Sequence, residues 1–134
     1  MTTTKTKKLA IGSEDVATRE FNGCQSHLLI SPATVGSTQM IVGTTTVPVG
    51  VKVLRVVHPH SEKCFYILRG EGKIVFDDDE VTFRAGQALL IPQGTPYSVY
   101  NLGNEEMQLL SVCAPLAPSP KEGHIILERE DDHD

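Results

Sequence analysis

The stretch Val56-Val-His58-Pro-His60-Ser-Glu62 decides how this sequence is interpreted. Its polar residues stand two positions apart, and successive side chains of a β-strand point to opposite faces. If a strand continues through the stretch, Val56, His58, His60 and Glu62 share one face. Two imidazoles and a carboxylate would then converge on the interior of a β-structure.

Two imidazoles and one carboxylate are the donors that hold Zn²⁺, Fe²⁺ or a similar divalent ion and leave coordination positions open. The pattern therefore predicts a metal site at His58, His60 and Glu62. The competing interpretation is a loop that begins after Val57, because Pro59 cannot donate a hydrogen bond to a neighbouring strand. In that loop the imidazoles would be solvated. Strand periodicity alone leaves both interpretations open.

The rest of the chain predicts an all-β protein. Segments rich in β-branched residues, such as 38–47 and 51–57, alternate with turns of Gly, Pro, Asn and Asp. No apolar period of 3.6 residues persists over three turns, so helix is minor. Asp77-Asp-Asp79 is typical of a hairpin tip rather than of a metal cluster. Many short, closely spaced strands indicate a sandwich or a jelly roll.

Length and composition limit how many domains the chain can form and which classes of partner it can bind. The 134 residues fit one domain, predicted at 9–127, between a flexible tail at 1–8 and an acidic tail at 128–134. The net charge of −5, with no basic cluster beyond the first eight residues, argues against nucleic acid as a partner. No apolar run approaches the roughly 20 residues that span a bilayer, and no signal segment is recognised. We therefore expect a cytoplasmic protein without a membrane partner.

Two groups of residues resemble the two cupin motifs. The first motif, G-x5-H-x-H-x3-E-x6-G, is matched in part by Gly50, Val56, His58, Glu62 and Gly70. The second motif, G-x5-P-x-G-x2-H-x3-N, is matched in part by Gly86, Pro92, Gly94, Tyr97 and Asn101. The resemblance implies a single-domain cupin, which is a double-stranded β-helix or jelly-roll barrel. Seven residues rather than six lie between Glu62 and Gly70, which suggests a bulge or an altered register.

A narrower likeness covers most of the chain. Residues 29–36, 58–62, 114–120 and 123–124 resemble the small cupins classed as polyketide cyclases. Those proteins are implicated in closing rings on aromatic polyketides in bacterial secondary metabolism, and some hold zinc. The resemblance implies a homodimer and a cavity for a flat small-molecule substrate. It does not transfer the activity, because function depends on the site rather than on the fold.

The candidate site departs from the cupin pattern at two positions. Val56 replaces the first histidine and Tyr97 replaces the last, while His60 adds an imidazole on the predicted face. One hypothesis is a relocated metal site of His58, His60 and Glu62, with or without Tyr97, for Zn first and for Fe, Ni or Mn as alternatives. The other is a metal-free pocket. There His58 or His60 is a general acid/base oriented by Glu62, and Tyr97 hydrogen-bonds a carbonyl or enolate.

Both hypotheses serve cyclase, isomerase or dehydratase chemistry, which needs a base near an acidic C–H and a partner for the oxyanion. The alternative is a non-catalytic cupin that binds a small molecule or acts as a dimeric scaffold. The loss of two ligand positions favours this alternative. The retention of ionisable groups that are costly to bury favours an enzyme. Outside the site, we expect Cys64 to be inert packing and His124 to be a surface or dimer-contact residue.

Overall fold

The computed structural model describes residues 9–128 as two antiparallel β-sheets joined by turns and loops. The strands are β1 (Thr18–Phe21), β2 (Cys24–Ile30), β3 (Ile41–Val47), β4 (Lys52–Val57), β5 (Glu62–Arg69), β6 (Glu71–Val75), β7 (Glu80–Arg84), β8 (Ala88–Ile91), β9 (Tyr97–Asn101), β10 (Met107–Ala114) and β11 (Ile125–Ile126). Two short 3-10 turns, Ser13–Asp15 and Pro120–Glu122, accompany them. The all-β prediction is confirmed. The predicted tail at 1–8 lies outside the described residues, and so does the predicted acidic tail except for Glu128.

The strands form a first sheet in the order β1-β2-β3-β10-β5-β8 and a second sheet in the order β11-β4-β9-β6-β7. The inward side chains of both sheets form one apolar core, in which Val47, Ile67, Ile74, Val99 and Leu109 are almost fully buried. Alternating burial along β4 and β5 follows from the two-residue period of a strand. No helix in the described part of the chain is long and apolar enough to cross a membrane.

Among its several crossings between the sheets, the chain passes from the second sheet to the first between β4 and β5, and from the first to the second between β8 and β9. The two crossing loops meet at one end of the barrel. The Gly94 N–H donates to the His58 carbonyl at 3.0 Å, and the Gln93 side-chain amide donates to the Pro59 carbonyl at 2.9 Å. Gly94 has φ +77°, a backbone conformation that glycine adopts without strain. These bonds hold residues 58–60 against the start of β9.

β4 ends at Val57 and Pro59 lies in the turn that follows, so the stretch is a loop, but the imidazole is exposed only at His60 and is buried at His58. Val56 and His58 are buried, whereas His60 and Glu62 are exposed. The expectation that all four share one face is wrong, because the turn at 58–60 interrupts the strand period before β5 begins.

The Asp77-Asp-Asp79 segment is the hairpin turn between β6 and β7, as predicted. The Phe76 N–H donates to the Asp79 carbonyl at 2.8 Å, and the Asp79 carboxylate accepts from the Glu80 N–H at 2.8 Å. Asp77 also pairs with Arg55 of β4. The Asp79 carboxylate therefore stabilises the turn, and the Asp77 carboxylate binds Arg55 of the neighbouring strand.

The outer face of the first sheet carries a row of apolar side chains. Val42, Val112, Cys64 and Leu90 are successive cross-strand partners from β3 to β8. Leu90 is 60% exposed, and Cys64 is half-buried among these neighbours. This apolar row is compatible with the implied homodimer, which stays a prediction.

Asn101 ties the end of β9 to two other segments. Its amide donates to the carbonyls of Val47 and Glu105, both at 2.9 Å, and its side-chain oxygen accepts from the Gly103 N–H at 2.8 Å. The residue is 6% exposed. An unsatisfied buried polar group lowers the free energy of unfolding by about 1–3 kcal/mol, so the loss of both donated bonds would destabilise the fold.

We expect Asn101→Asp to lower the free energy of unfolding by roughly 2–4 kcal/mol, because it sets a carboxylate against two carbonyls. The exposed Asn104→Asp is the matched control and should change stability by less than about 0.5 kcal/mol. Urea unfolding monitored by circular dichroism measures both. Equal stability of the two variants would show that the Asn101 bonds contribute little.

Candidate functional site

A pocket of about 220 Å³ lies between the two sheets, beside the crossing loop after β4. Its walls are mostly apolar and include Phe21, Leu54, Phe65, Leu109 and Ile126. Phe21 and Ile126 are about two-fifths exposed, so the pocket opens to solvent beside them. The polar groups on its lining include His58, Lys63, Tyr97 and His124.

His58 and Tyr97 form a buried hydrogen-bonded pair. Val56 pairs with Tyr97 across β4 and β9, which brings His58 beside the phenol. The Nε2 atom of His58 lies 2.9 Å from the Tyr97 hydroxyl, and Nδ1 lies 3.1 Å from the Gly123 carbonyl. A carbonyl oxygen only accepts, so Nδ1 carries the proton and Nε2 accepts from the phenol. The pair is therefore a directed chain from Tyr97 through His58 to Gly123.

Both members of the pair are neutral near pH 7. Burial and the positive charge of Lys63 lower the pKa of His58 to about 4, against a smaller opposing effect of the Gly123 carbonyl. Burial raises the pKa of Tyr97, although the Lys63 ammonium opposes that shift. The imidazole lone pair and the phenolic proton are thus both available at neutral pH.

Lys63 is the residue that sequence reasoning missed. It lies on β5 opposite Cys113 of β10, and it lines the pocket two residues before Phe65. Six residues separate Lys63 from Gly70, which is the spacing that the first cupin motif specifies for its carboxylate. The seven residues that separate Glu62 from Gly70 were the available signal. The register thus turns Glu62 outward and brings a lysine into the carboxylate position.

The ammonium group of Lys63 approaches the Phe65 ring, 5.1 Å from its centroid, and interacts with the Tyr97 hydroxyl. Burial acts against its charge, whereas the negative charges that Tyr97 and Cys113 acquire at high pH favour it, and the net effect is a raised pKa of Lys63. Lys63 therefore stays cationic throughout the neutral range, and it accounts for part of the lowered pKa of His58.

His124 comes from the segment after Pro120–Glu122, which folds over the pocket. This segment is held to β4 by the pairing of Ile126 with Val56 and by an ion pair between Glu128 and Lys52 at 2.7 Å. His124 is exposed, as predicted, but its ring also lines the pocket, 6.0 Å from the His58 ring. Partial burial and the Lys63 charge lower its pKa.

The structure does not bring the predicted site residues together. His58 and Tyr97 are in contact, whereas His60 and Glu62 are exposed and do not line the pocket. The predicted orienting role of Glu62 is taken by the Gly123 carbonyl, which binds Nδ1 of His58. Sequence spacing cannot reveal that contact, since the partners lie 65 positions apart in the sequence.

The residues of the pocket do not fit a divalent cation. The four motif positions hold an apolar side chain, an imidazole, an ammonium group and a neutral phenol, which belong to Val56, His58, Lys63 and Tyr97 respectively. Within residues 9–128, no group of three or more His, Cys, Asp or Glu side chains lies close enough to hold a metal ion. A resident ammonium repels a metal cation at short range.

The similarities of this chain to known proteins agree with the two-sheet architecture. Residues 43–113 match the family model described as Cupin domain. The SchB protein of Streptomyces halstedii is 32% identical over 122 residues, covering 91% of this chain and 88% of that protein. The tetracenomycin polyketide synthase protein TcmJ of Streptomyces glaucescens is 30% identical over 121 residues, covering 90% and 80%.

Solved structures show the same fold. The polyketide cyclase RemF of Streptomyces resistomycificus superposes with a TM-score of 0.72 at 19% identity, covering 93% of this chain and 89% of that one. A predicted oxalate decarboxylase of Thermotoga maritima superposes with a TM-score of 0.69 at 22% identity, covering 81% and 100%. Together with the two-sheet barrel and the spacing of its glycines, these matches establish that the chain belongs to the cupin family.

Proposed function

We propose that this cupin is a small-molecule enzyme of bacterial secondary metabolism, which moves protons on an oxygenated, polyketide-like substrate. The observation that carries the proposal is the 2.9 Å hydrogen bond from Tyr97 to His58 at the wall of an apolar pocket. Similarity to the tetracenomycin polyketide synthase protein TcmJ supports the substrate class. Cyclisation, isomerisation and dehydration share the first step described below.

The first step removes a proton from a carbon next to a carbonyl group. The phenolic oxygen of Tyr97 takes that proton while its own proton passes to Nε2 of His58. The substrate becomes an enolate and His58 an imidazolium, and the Nδ1–H of His58 stays bound to the Gly123 carbonyl. The new negative charge next to the imidazolium offsets the cost of charging a group whose pKa is about 4 in the empty pocket.

The second step depends on where the proton returns. Return to a different carbon gives isomerisation, and return to a leaving hydroxyl gives water and a dehydrated product. Attack of the enolate carbon on a second carbonyl, followed by protonation of the new alkoxide, closes a ring. The apolar walls exclude water that would otherwise protonate the enolate first.

We further propose that this chemistry runs without a resident metal ion. The proposal is supported by the residues at the motif positions, where only His58 is a good neutral ligand. The polarity that a metal would supply to an oxyanion must then come from the protein's own donors.

A second candidate function is binding without catalysis. Of the four motif positions only His58 retains a metal-ligand side chain, which is what a binding module derived from an enzyme would show. The two candidates differ in whether the Tyr97–His58 pair transfers protons to and from a bound ligand.

Deuterium exchange at the acidic carbon of α-tetralone separates the two candidates. We expect the wild-type protein to accelerate the exchange. Proton NMR in heavy water measures its rate. Tyr97→Phe and His58→Gln should each reduce the acceleration by about 100-fold or more, the usual contribution of general acid–base catalysis. His60→Gln changes an exposed histidine outside the pocket and should leave it within about twofold.

Two outcomes would count against the catalytic role. Undiminished exchange in Tyr97→Phe and His58→Gln would remove the pair from the reaction. A wild type that binds α-tetralone without accelerating the exchange would favour the binding-only candidate.

The lowered pKa of His58 also predicts how stability depends on pH. Unfolded His58 binds a proton near pH 6.5 and folded His58 only near pH 4, so the unfolded state binds more protons between these values. Stability is therefore lost as the pH falls through this window. Between pH 7.5 and 4.5 we expect His58 to contribute a loss of at most about 3 kcal/mol. His124 adds to the loss in the same direction.

Urea unfolding at both pH values tests this loss. His58→Gln should show a clearly smaller drop in stability than the wild type, while His60→Gln should show the wild-type drop. Identical pH dependence in wild type and His58→Gln would mean that His58 is not held neutral in the fold.

A further inference from the structure

The pocket contains a cation where the cupin motif has a carboxylate. Lys63 is the lining residue that stands at this position, and its ammonium group faces the same space as His58 and Tyr97. A carboxylate there would attract a metal ion, whereas an ammonium group attracts an anion. This single change of sign reverses the charge preference of the site.

The positive charge has no anionic partner within the described part of the chain. The pocket lining contains no Asp or Glu, and the ion pairs of residues 9–128 do not include Lys63. The polar groups that face it are His58 from the loop after β4, Tyr97 from β9, Cys113 from β10 and His124 from the C-terminal segment. All four are uncharged at neutral pH, because burial acts against the charged form of each.

A largely buried charge without a partner is costly, and a bound counter-ion removes that cost. Side chains from both sheets surround the ammonium group, and the Phe65 ring below it is 5.1 Å away. Neither the ring nor the neutral polar groups can neutralise it. The ammonium group of Lys63 therefore requires an anionic oxygen, which can enter from the open side of the pocket.

We propose that Lys63 takes the place of the metal ion and makes this pocket a receptor for a small aromatic carboxylate or enolate. The cavity of about 220 Å³ is below the roughly 300–1,000 Å³ typical of sites for drug-sized ligands, which favours a small ligand. Apolar walls at Leu54, Phe65 and Leu109 suit a ring, and His124 at the mouth offers a further polar contact. This inference rests on the proposed function only in taking the same pocket as the functional site. It adds that the ligand is an anion.

Salicylate and its neutral analogue salicylamide test this preference on the full chain. Calorimetry in the presence of EDTA should show wild-type protein binding salicylate at least about tenfold more tightly than salicylamide, since the two differ in charge and little in shape. Lys63→Met should lose at least about tenfold in salicylate affinity and change salicylamide affinity by less than threefold. Lys63→Arg should retain the preference for the anion. Lys121→Met removes an exposed lysine outside the pocket and should bind both ligands as the wild type does.

Three results would overturn the proposal. Equal wild-type affinity for the two ligands would do so without any variant, as would unchanged salicylate binding in a Lys63→Met protein that melts cooperatively. Salicylate binding that requires added Zn²⁺ and vanishes in EDTA would show that a metal, not Lys63, holds the anion. By contrast, a wild type that binds salicylate through Lys63 but does not exchange α-tetralone protons would leave this inference standing and exclude the catalytic role.

Discussion

The hydrogen bond from the Gly94 N–H to the His58 carbonyl joins two of the loops in which the chain crosses between its sheets, the loop after β4 and the loop before β9. One loop begins with His58 and the other leads into Tyr97, so this bond fixes the two functional side chains relative to each other. The 2.9 Å contact between the imidazole and the phenol depends on it. The Gly123 carbonyl completes the arrangement by fixing which imidazole nitrogen carries the proton. The pocket is thus assembled by backbone groups of three segments that are remote in sequence.

Electrostatics links the members of this site. The Lys63 charge helps to keep His58 and His124 neutral, and it opposes the effect of burial on Tyr97. A neutral imidazole next to a permanent cation is a poor metal site, but it is a suitable proton acceptor once an anion forms nearby. Lys63 also raises the cost of folding the empty pocket, because its charge is taken out of water without a partner. The same residue therefore connects ligand charge, proton transfer and stability.

The fold could be predicted from the sequence, while the site could be predicted only in part. β-branched segments, turn residues and the paired motif spacings are local signals, and β3 to β10 follow them closely, whereas β1 and β2 were not predicted. Strand parity failed at His60 and Glu62 because Pro59 turns the chain. Lys63 was missed because the motif was aligned from His58 to Glu62 rather than back from Gly70. The contacts of His58 with Gly123 and His124 are tertiary, and no periodicity in the sequence encodes them.

Nitrogen NMR of the His58 imidazole ring tests the central claim most directly, since it observes the proton, the hydrogen bonds and any bound metal at one residue. We expect Nδ1 to be protonated and Nε2 to be unprotonated at every pH from about 5 to 8, with no response to added Zn²⁺. Tyr97→Phe should shift Nε2 and leave the Nδ1 proton in place. A ring that titrates near pH 6.5, carries its proton on Nε2, or changes on addition of Zn²⁺ would contradict a neutral, metal-free His58 held between Tyr97 and Gly123.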